Sequence, residues 1–174
     1  MSLLPAHFNA QLTALALATA LFVPAALAQT TPSTSPPQQL RGSTLDGKTF
    51  DLQALRGKVV MVVFWSTECA VCRDKMPELR ANVKGWMGQP FELVSVSTDR
   101  QRSNALTYTQ LVNATVPANQ RFTTLWTGES QYRDSFGTPG QLPAAYLLDK
   151  TGQLVEQYHG RIPPEAWDRI ADLL

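Results

Sequence analysis

The hydrophobic pattern changes period between residues 59 and 86. Val59 to Phe64 reads Val-Val-Met-Val-Val-Phe, with no polar side chain. A short run of this kind, rich in β-branched and aromatic residues, predicts a strand covered on both faces. Beyond it, Cys72, Met76, Leu79, Val83 and Trp86 recur at spacings of four, three, four and three. That is one apolar stripe of a helix. The spacing predicts a strand over 59–65 and a helix over 70–86, ended by Gly88 and Pro90. Pro77 lies inside the helix and lacks the N–H that the carbonyl of residue 73 would receive, so a kink is expected there.

The rest of the chain continues the alternation of strands and helices. Leu45 to Leu52 sets an Asp46-Gly47 turn between short alternating stretches, which predicts a β-hairpin. Phe91 to Thr98 alternates with period two and reads as a second central strand, completing a right-handed βαβ unit. Residues 101–113 read as a helix with Leu106, Leu111 and Val112 inward. Phe122 to Trp126 is expected to be a short strand, and Tyr132 to Phe136 a helical turn stopped by Gly137. Pro143 to Asp149 reads as a strand, turned by Lys150-Thr151-Gly152, with Gln153 to His159 as its antiparallel partner. Residues 164–174 form a closing amphipathic helix with Trp167, Ile170, Leu173 and Leu174 on the packed side.

The first forty residues differ in kind, with no Lys, Arg, Asp or Glu before Arg41. Residues 12–23 make an apolar core of signal-peptide length, followed by Pro24 and the A-x-A pattern Ala26-Leu27-Ala28. Cleavage is expected after Ala28. The alternative is an uncleaved membrane anchor, for which the stretch is short, and before it stands only His7 where basic residues are usual. No Cys follows the cleavage site, which excludes lipid attachment there. Residues 29–39 read as an extended, uncharged linker, leaving 40–174 as one domain. The 174 residues carry 15 basic and 14 acidic side chains, a net charge of +1. That balance argues against nucleic acid as a partner.

The only two cysteines, Cys69 and Cys72, fall where the strand gives way to the helix. The first helical turn offers unpaired N–H groups and the positive end of the macrodipole, both of which favour a thiolate. In C-x-x-C motifs the first thiol pKa falls to roughly 3.5–7.5. Cys69 is then the exposed nucleophile, and Cys72, on the core stripe, the partner that closes the disulfide. The chemistry is thiol–disulfide exchange through a mixed disulfide. A purely structural bridge across so short a loop would remove little unfolded-state entropy. Zinc would need three or four protein ligands, usually Cys and His, and besides the cysteines the chain's only histidines are His7 and His159. Haem attachment needs His after the second Cys, where Arg73 stands. A peroxidase pattern, Pro-x-x-x-Thr-x-x-Cys, is absent.

The segment Phe64-Trp65-Ser66-Thr67-Glu68-Cys69-Ala70-Val71-Cys72-Arg73-Asp74-Lys75-Met76-Pro77-Glu78-Leu79 resembles the active-site segment of the thioredoxin superfamily, in particular its TlpA/ResA-like extracytoplasmic thiol–disulfide oxidoreductases. The resemblance covers roughly residues 40–174. It implies a thioredoxin-like α/β fold: a mixed central sheet flanked by helices, with an added N-terminal β-hairpin. The bend Leu52-Gln53-Ala54-Leu55-Arg56-Gly57-Lys58 is similar to one that follows the hairpin in that branch. Leu142-Pro143 matches the family's cis-proline loop, so the resemblance implies a cis bond there. It also implies a substrate groove formed by Leu142, Pro143 and Trp65, in which backbone before Pro143 pairs with an extended substrate chain.

Departures from the family pattern bear on the chemistry. Glu68 replaces the usual aromatic residue before the first Cys, and a carboxylate there opposes thiolate formation. Val63 occupies the place of a buried acid found in many thioredoxins. Lys75 replaces a common Glu and would lower a thiol pKa. For both Glu68 and Lys75 the alternative is a solvated helix start where charges are screened. Ala70-Val71, between the cysteines, has no His or charge to stabilise a thiolate; this, and the short 99–142 interval, favour a reductase over a DsbA-like oxidant.

The expectation is a periplasmic protein disulfide reductase, monomeric and without cofactor or metal. A membrane thiol donor of DsbD/CcdA type would recharge it, and its substrates would be protein thiols and disulfides, such as those of cytochrome c maturation or copper sites. The second reading is a copper-binding chaperone of the same fold using Cys69, Cys72 and His159, since soft thiolates suit Cu(I).

Overall fold

The computed structural model describes residues 36–174. The expected signal segment (1–28), and the linker as far as residue 35, lie outside the described residues. Five strands form the main sheet: β3 (Val59–Trp65), β4 (Phe91–Ser97), β5 (Thr123–Trp126), β7 (Ala144–Leu148) and β8 (Leu154–His159), in the spatial order β5-β4-β3-β7-β8. β3 is parallel to β4 and antiparallel to β7, so the sheet is mixed. A small second sheet, ordered β2-β1-β6, combines the hairpin strands β1 (Leu40–Ser43) and β2 (Thr49–Asp51) with β6 (Arg133–Asp134). Among the described residues three α-helices flank these sheets: α1 (Ala70–Gly85), α2 (Arg102–Thr115) and α3 (Glu165–Leu173).

β3 is the centre of the sheet, and every one of its residues is buried. Its side chains alternate between two cores, as a pleated strand requires. Val59, Met61, Val63 and Trp65 pack with Cys72, Met76 and Leu79 of α1 and with Ala166 and Ile170 of α3. Val60, Val62 and Phe64 pack on the other face with Val94, Val96, Tyr146 and Leu148, under Leu40 and Leu52 from the hairpin region. Each fully buried aliphatic side chain of this kind contributes about 1.5–3 kcal/mol of transfer free energy. An unbroken apolar run is the physical consequence of having no solvent face.

The helix over Pro77 runs on for 16 residues. Pro77 and Arg73 are both exposed, so the carbonyl that loses its N–H partner is on the side facing water.

Three expectations need correction. The expected hairpin is present, but its arms are 40–43 and 49–51, so the first arm lies ahead of Leu45; Thr44 Oγ1 caps the loop by accepting from the Lys48 N–H at 2.9 Å. Residues 132–136 are not a helical turn. Arg133–Asp134 pairs with Leu40–Arg41 as a third strand of the small sheet, leaving Phe136 to pack on Phe64 and Tyr146. In α2, Leu111 is 67% exposed. The inward face is set by buried Ala105, with Tyr108 and Val112 following at helical spacing, and Leu111 lies on its solvent-exposed flank.

Candidate active site

Cys69 and Cys72 meet at the C-terminal end of the central strand. Cys69 is the N-cap of α1, with extended backbone, and its Sγ accepts from the Cys72 N–H at 3.1 Å. The two are joined as a disulfide. Cys69 is half-buried and Ala70 and Val71 are exposed, whereas Cys72 is 1% exposed on the core stripe. The asymmetry follows from the helix: residue 69 caps the end, and residue 72 begins the inward face.

The loop that delivers Cys69 is held from two sides. Asp99, just past β4 and 5% exposed, accepts at Oδ1 from the Thr67 N–H (2.9 Å) and the Thr67 hydroxyl (2.6 Å). Its Oδ2 accepts from the Ser97 hydroxyl at 2.7 Å. From α1, Arg73 Nη1 donates to the Thr67 carbonyl at 2.6 Å. The Cys69 N–H donates to the Ser66 carbonyl at 3.3 Å. The Asp99 carbonyl in turn accepts from the Trp126 indole N–H at 2.7 Å. None of Thr67, Asp99 or Trp126 was singled out from the sequence. The available signal was a run of polar residues, Ser97-Thr98-Asp99, directly after an apolar strand.

Leu142 and Pro143 stand at the same end of the sheet as Cys69. Ala144 pairs with Phe64, so Pro143 falls level with Trp65, the last residue of β3. The Leu142–Pro143 peptide bond is cis. The Pro143 carbonyl is taken by the Gly160 N–H at 2.8 Å. Among the described residues, neither the N–H nor the C=O of Leu142 has a hydrogen-bond partner.

Trp65 does not line an open groove. It is 1% exposed, and its ring packs against Tyr108 of α2 at 5.0 Å between centroids. It supports the site from beneath. Pro143 is buried as well, which leaves the half-buried Leu142 and its backbone as the accessible part of that segment.

The two charges flanking the motif have different surroundings. Glu68 is exposed. Lys75 is only 7% exposed, and its Nζ lies 2.6 Å from Glu78 Oε1. It is therefore not a solvated charge at the helix start. Hydrogen bonding to Lys75 holds the Glu78 carboxyl below its ordinary range, with a smaller contribution from the Trp167 indole on α3.

Cys69, Cys72 and His159 are not brought together. His159 pairs with Ala144 at the edge of the sheet, two strands or about 10 Å from β3. It shares the face of Ala144 and Tyr146, packing edge-on against the Tyr146 ring, while Cys72 lies under the opposite face. Among the described residues no group of three His, Cys, Asp or Glu side chains is arranged to hold a metal ion. A cavity of about 540 Å³ exists, but it lies between the hairpin and α2, bounded by Lys48, Phe50, Asn113 and Arg121 and by neither cysteine. Disulfide exchange with a protein takes place at an exposed sulfur and needs no such cavity.

The AhpC/TSA family model matches residues 30–166. The chain is 28% identical over 116 residues to the thiol-disulfide oxidoreductase ResA of Bacillus thuringiensis, a match covering 67% of this chain and 63% of that relative. It is 27% identical over 123 residues to ResA of Geobacillus thermodenitrificans, covering 71% of this chain and 67% of that one. Among solved structures, a thiol:disulfide interchange protein of the thioredoxin family from Chlorobium tepidum superposes with a TM-score of 0.62 at 21% identity, covering 80% of this chain and 94% of that chain.

Proposed function

The chain belongs to the AhpC/TSA family and has a thioredoxin-like fold, and from this we propose that it is a thiol–disulfide oxidoreductase that reduces protein disulfides in the cell envelope. One observation carries the reading: the chain's only cysteines are joined across a C-x-x-C at a helix N-terminus, one half-exposed and one buried.

In the reduced protein, the Cys69 thiolate attacks one sulfur of a substrate disulfide. A mixed disulfide forms and one substrate thiolate leaves. Cys72, deprotonated, then attacks the Cys69 sulfur and expels the second substrate thiolate. Two electrons have passed to the substrate, and Cys69–Cys72 remains as a disulfide. The helix N-terminus stabilises the attacking thiolate through its free N–H groups and dipole. Glu68 opposes that stabilisation and Lys75 acts on the buried side of the pair. The unpartnered backbone of Leu142 pairs with the extended substrate chain as it enters, in the manner of strand addition.

Recharging the dithiol takes an external thiol donor, for which a membrane protein of DsbD/CcdA type is suited. A monomer in the periplasm, released by cleavage after Ala28 or held by an uncleaved anchor, fits the leader expected from the sequence. Substrates of the reading are disulfides formed between the cysteines of cytochrome c maturation or of copper sites, which the reaction returns to thiols.

The test is reduction of insulin disulfides by dithiothreitol, followed as turbidity. The wild-type protein is expected to accelerate precipitation, and Cys69→Ser to match the uncatalysed rate. Equal acceleration by Cys69→Ser contradicts the reading. The direction is tested by the reduction potential of the couple: a value near −270 mV, the thioredoxin end, supports a reductase, and one near −120 mV, the DsbA end, makes it an oxidant, at about 30 mV per tenfold in the equilibrium constant.

A further inference from the structure

We propose that Asp99 is a positioning residue for Cys69: its carboxylate clamps the loop that carries the nucleophile, and does so when the disulfide is open. The proposal rests on the exchange reaction above and names a part of its machinery.

The geometry is specific. Asp99 is buried, and both of its carboxylate oxygens are engaged, Oδ1 by two donors of Thr67 and Oδ2 by Ser97. A buried carboxylate needs such donors, because an unsatisfied one is costly. Thr67 is two residues before Cys69, so whatever fixes Thr67 fixes where α1 begins. Asp99 is itself anchored. Thr98 continues the β3–β4 ladder by donating its N–H to the Trp65 carbonyl at 2.8 Å, and Trp126 holds the Asp99 carbonyl.

In the oxidised protein the S–S bond also restrains this junction. In the dithiol that covalent restraint is gone, and the clamp from β4 remains. Without it the reduced loop gains more freedom than the oxidised loop. The dithiol form is then favoured, and the thiolate spends less time aimed at a substrate. The side-chain amide of Asn can keep the same contacts, accepting from Thr67 through Oδ1 and donating to Ser97 Oγ through Nδ2.

The experiment measures two quantities on the full chain: the second-order rate of the reduced protein with 5,5′-dithiobis(2-nitrobenzoate), and the equilibrium of the couple in glutathione buffers. Asp99→Ala is expected to slow the reaction about tenfold and to shift the equilibrium toward the dithiol, while Asp99→Asn restores both to within about twofold of wild type. A wild-type rate and equilibrium in Asp99→Ala overturns the proposal. So does an Asp99→Asn variant as impaired as Asp99→Ala, since the charge would then matter and the clamp would not. Should Asp99→Ala fail to fold, Thr67→Val, which loses one of the two bonds at a half-buried site, is expected to slow the reaction about threefold, and an unchanged rate there overturns the clamp. The small-disulfide reaction does not depend on a protein substrate. A protein inert toward insulin that still shows the Asp99→Ala loss contradicts the proposed activity and leaves the clamp standing.

Discussion

Lys75 and Glu78 form an ion pair at 2.6 Å in which the cation is buried, at 7% exposure, and the carboxylate is half open, at 46%. The pair sits one turn beyond Cys72 on α1, and the Trp167 indole of α3 reaches the same carboxylate oxygen at 3.4 Å.

The asymmetry predicts unequal effects of removing either partner. Glu78→Gln leaves a buried ammonium with a weaker acceptor and is expected to cost about 1–2 kcal/mol, less than a fully buried pair because solvent screens the open side. Lys75→Met keeps the aliphatic packing and removes the ion, and is expected to fall within about 1 kcal/mol of wild type. Urea denaturation at neutral pH measures both, and a Lys75→Met loss larger than that of Glu78→Gln contradicts the assignment.

The same pair gives a pH dependence. The Glu78 carboxyl is held below its ordinary value of 4.5 by Lys75. A depressed carboxyl pKa stabilises the fold at pH above the unfolded value, and that contribution is lost as pH falls through the folded value. The stability gap between wild type and Glu78→Gln is therefore constant near neutrality and narrows below about pH 4.5. The urea midpoint of both proteins, followed from pH 7 to 3, reads this directly. A gap that widens in acid has the wrong sign.

Gly128 lies against the Trp126 ring. A Cβ built there would overlap the Cζ2 edge of that ring. Gly128→Ala must displace the indole that donates to the Asp99 carbonyl, at an expected cost of about 1–3 kcal/mol. The fluorescence of Trp126 is expected to shift with it. An unaltered stability and spectrum shows that the ring does not need that space.

In α2 the exposed Leu111 and the buried Ala105 give a contrasting pair. Leu111→Gln is expected to leave stability within about 0.5 kcal/mol of wild type, and Ala105→Leu to cost about 1–3 kcal/mol by overpacking. Thermal denaturation of the two variants checks the orientation of the helix.

The central part of this fold is legible in the chain because its elements carry strong, long patterns. Val59–Trp65 has no polar residue to compromise the strand, and Cys72, Met76 and Leu79 mark the inward face of α1 without ambiguity. The cysteines themselves announce the chemistry. Other features depend on distant partners. Arg133–Asp134 is a strand only because Leu40–Arg41 lies beside it, and two residues have no period to read. The phase of α2 is set by Ala105, whose small side chain marks close approach, whereas the larger Leu111 suggests burial it does not have. Asp99 is invisible for the same reason: its meaning comes from Thr67, which is 32 residues away in sequence.

The most direct measurement is trapping of the mixed disulfide. Reduced Cys72→Ser protein, mixed with a disulfide-bonded protein substrate and quenched in acid, is expected to accumulate a covalent adduct through Cys69, because no second thiol remains to release it. Mass spectrometry of the cleaved adduct identifies the linked residue. Reduced Cys69→Ser, in which the remaining thiol is buried, is expected to give little or none. An adduct through Cys72 in Cys69→Ser at the rate seen for Cys69, or no adduct in Cys72→Ser, contradicts the assignment of Cys69 as the nucleophile.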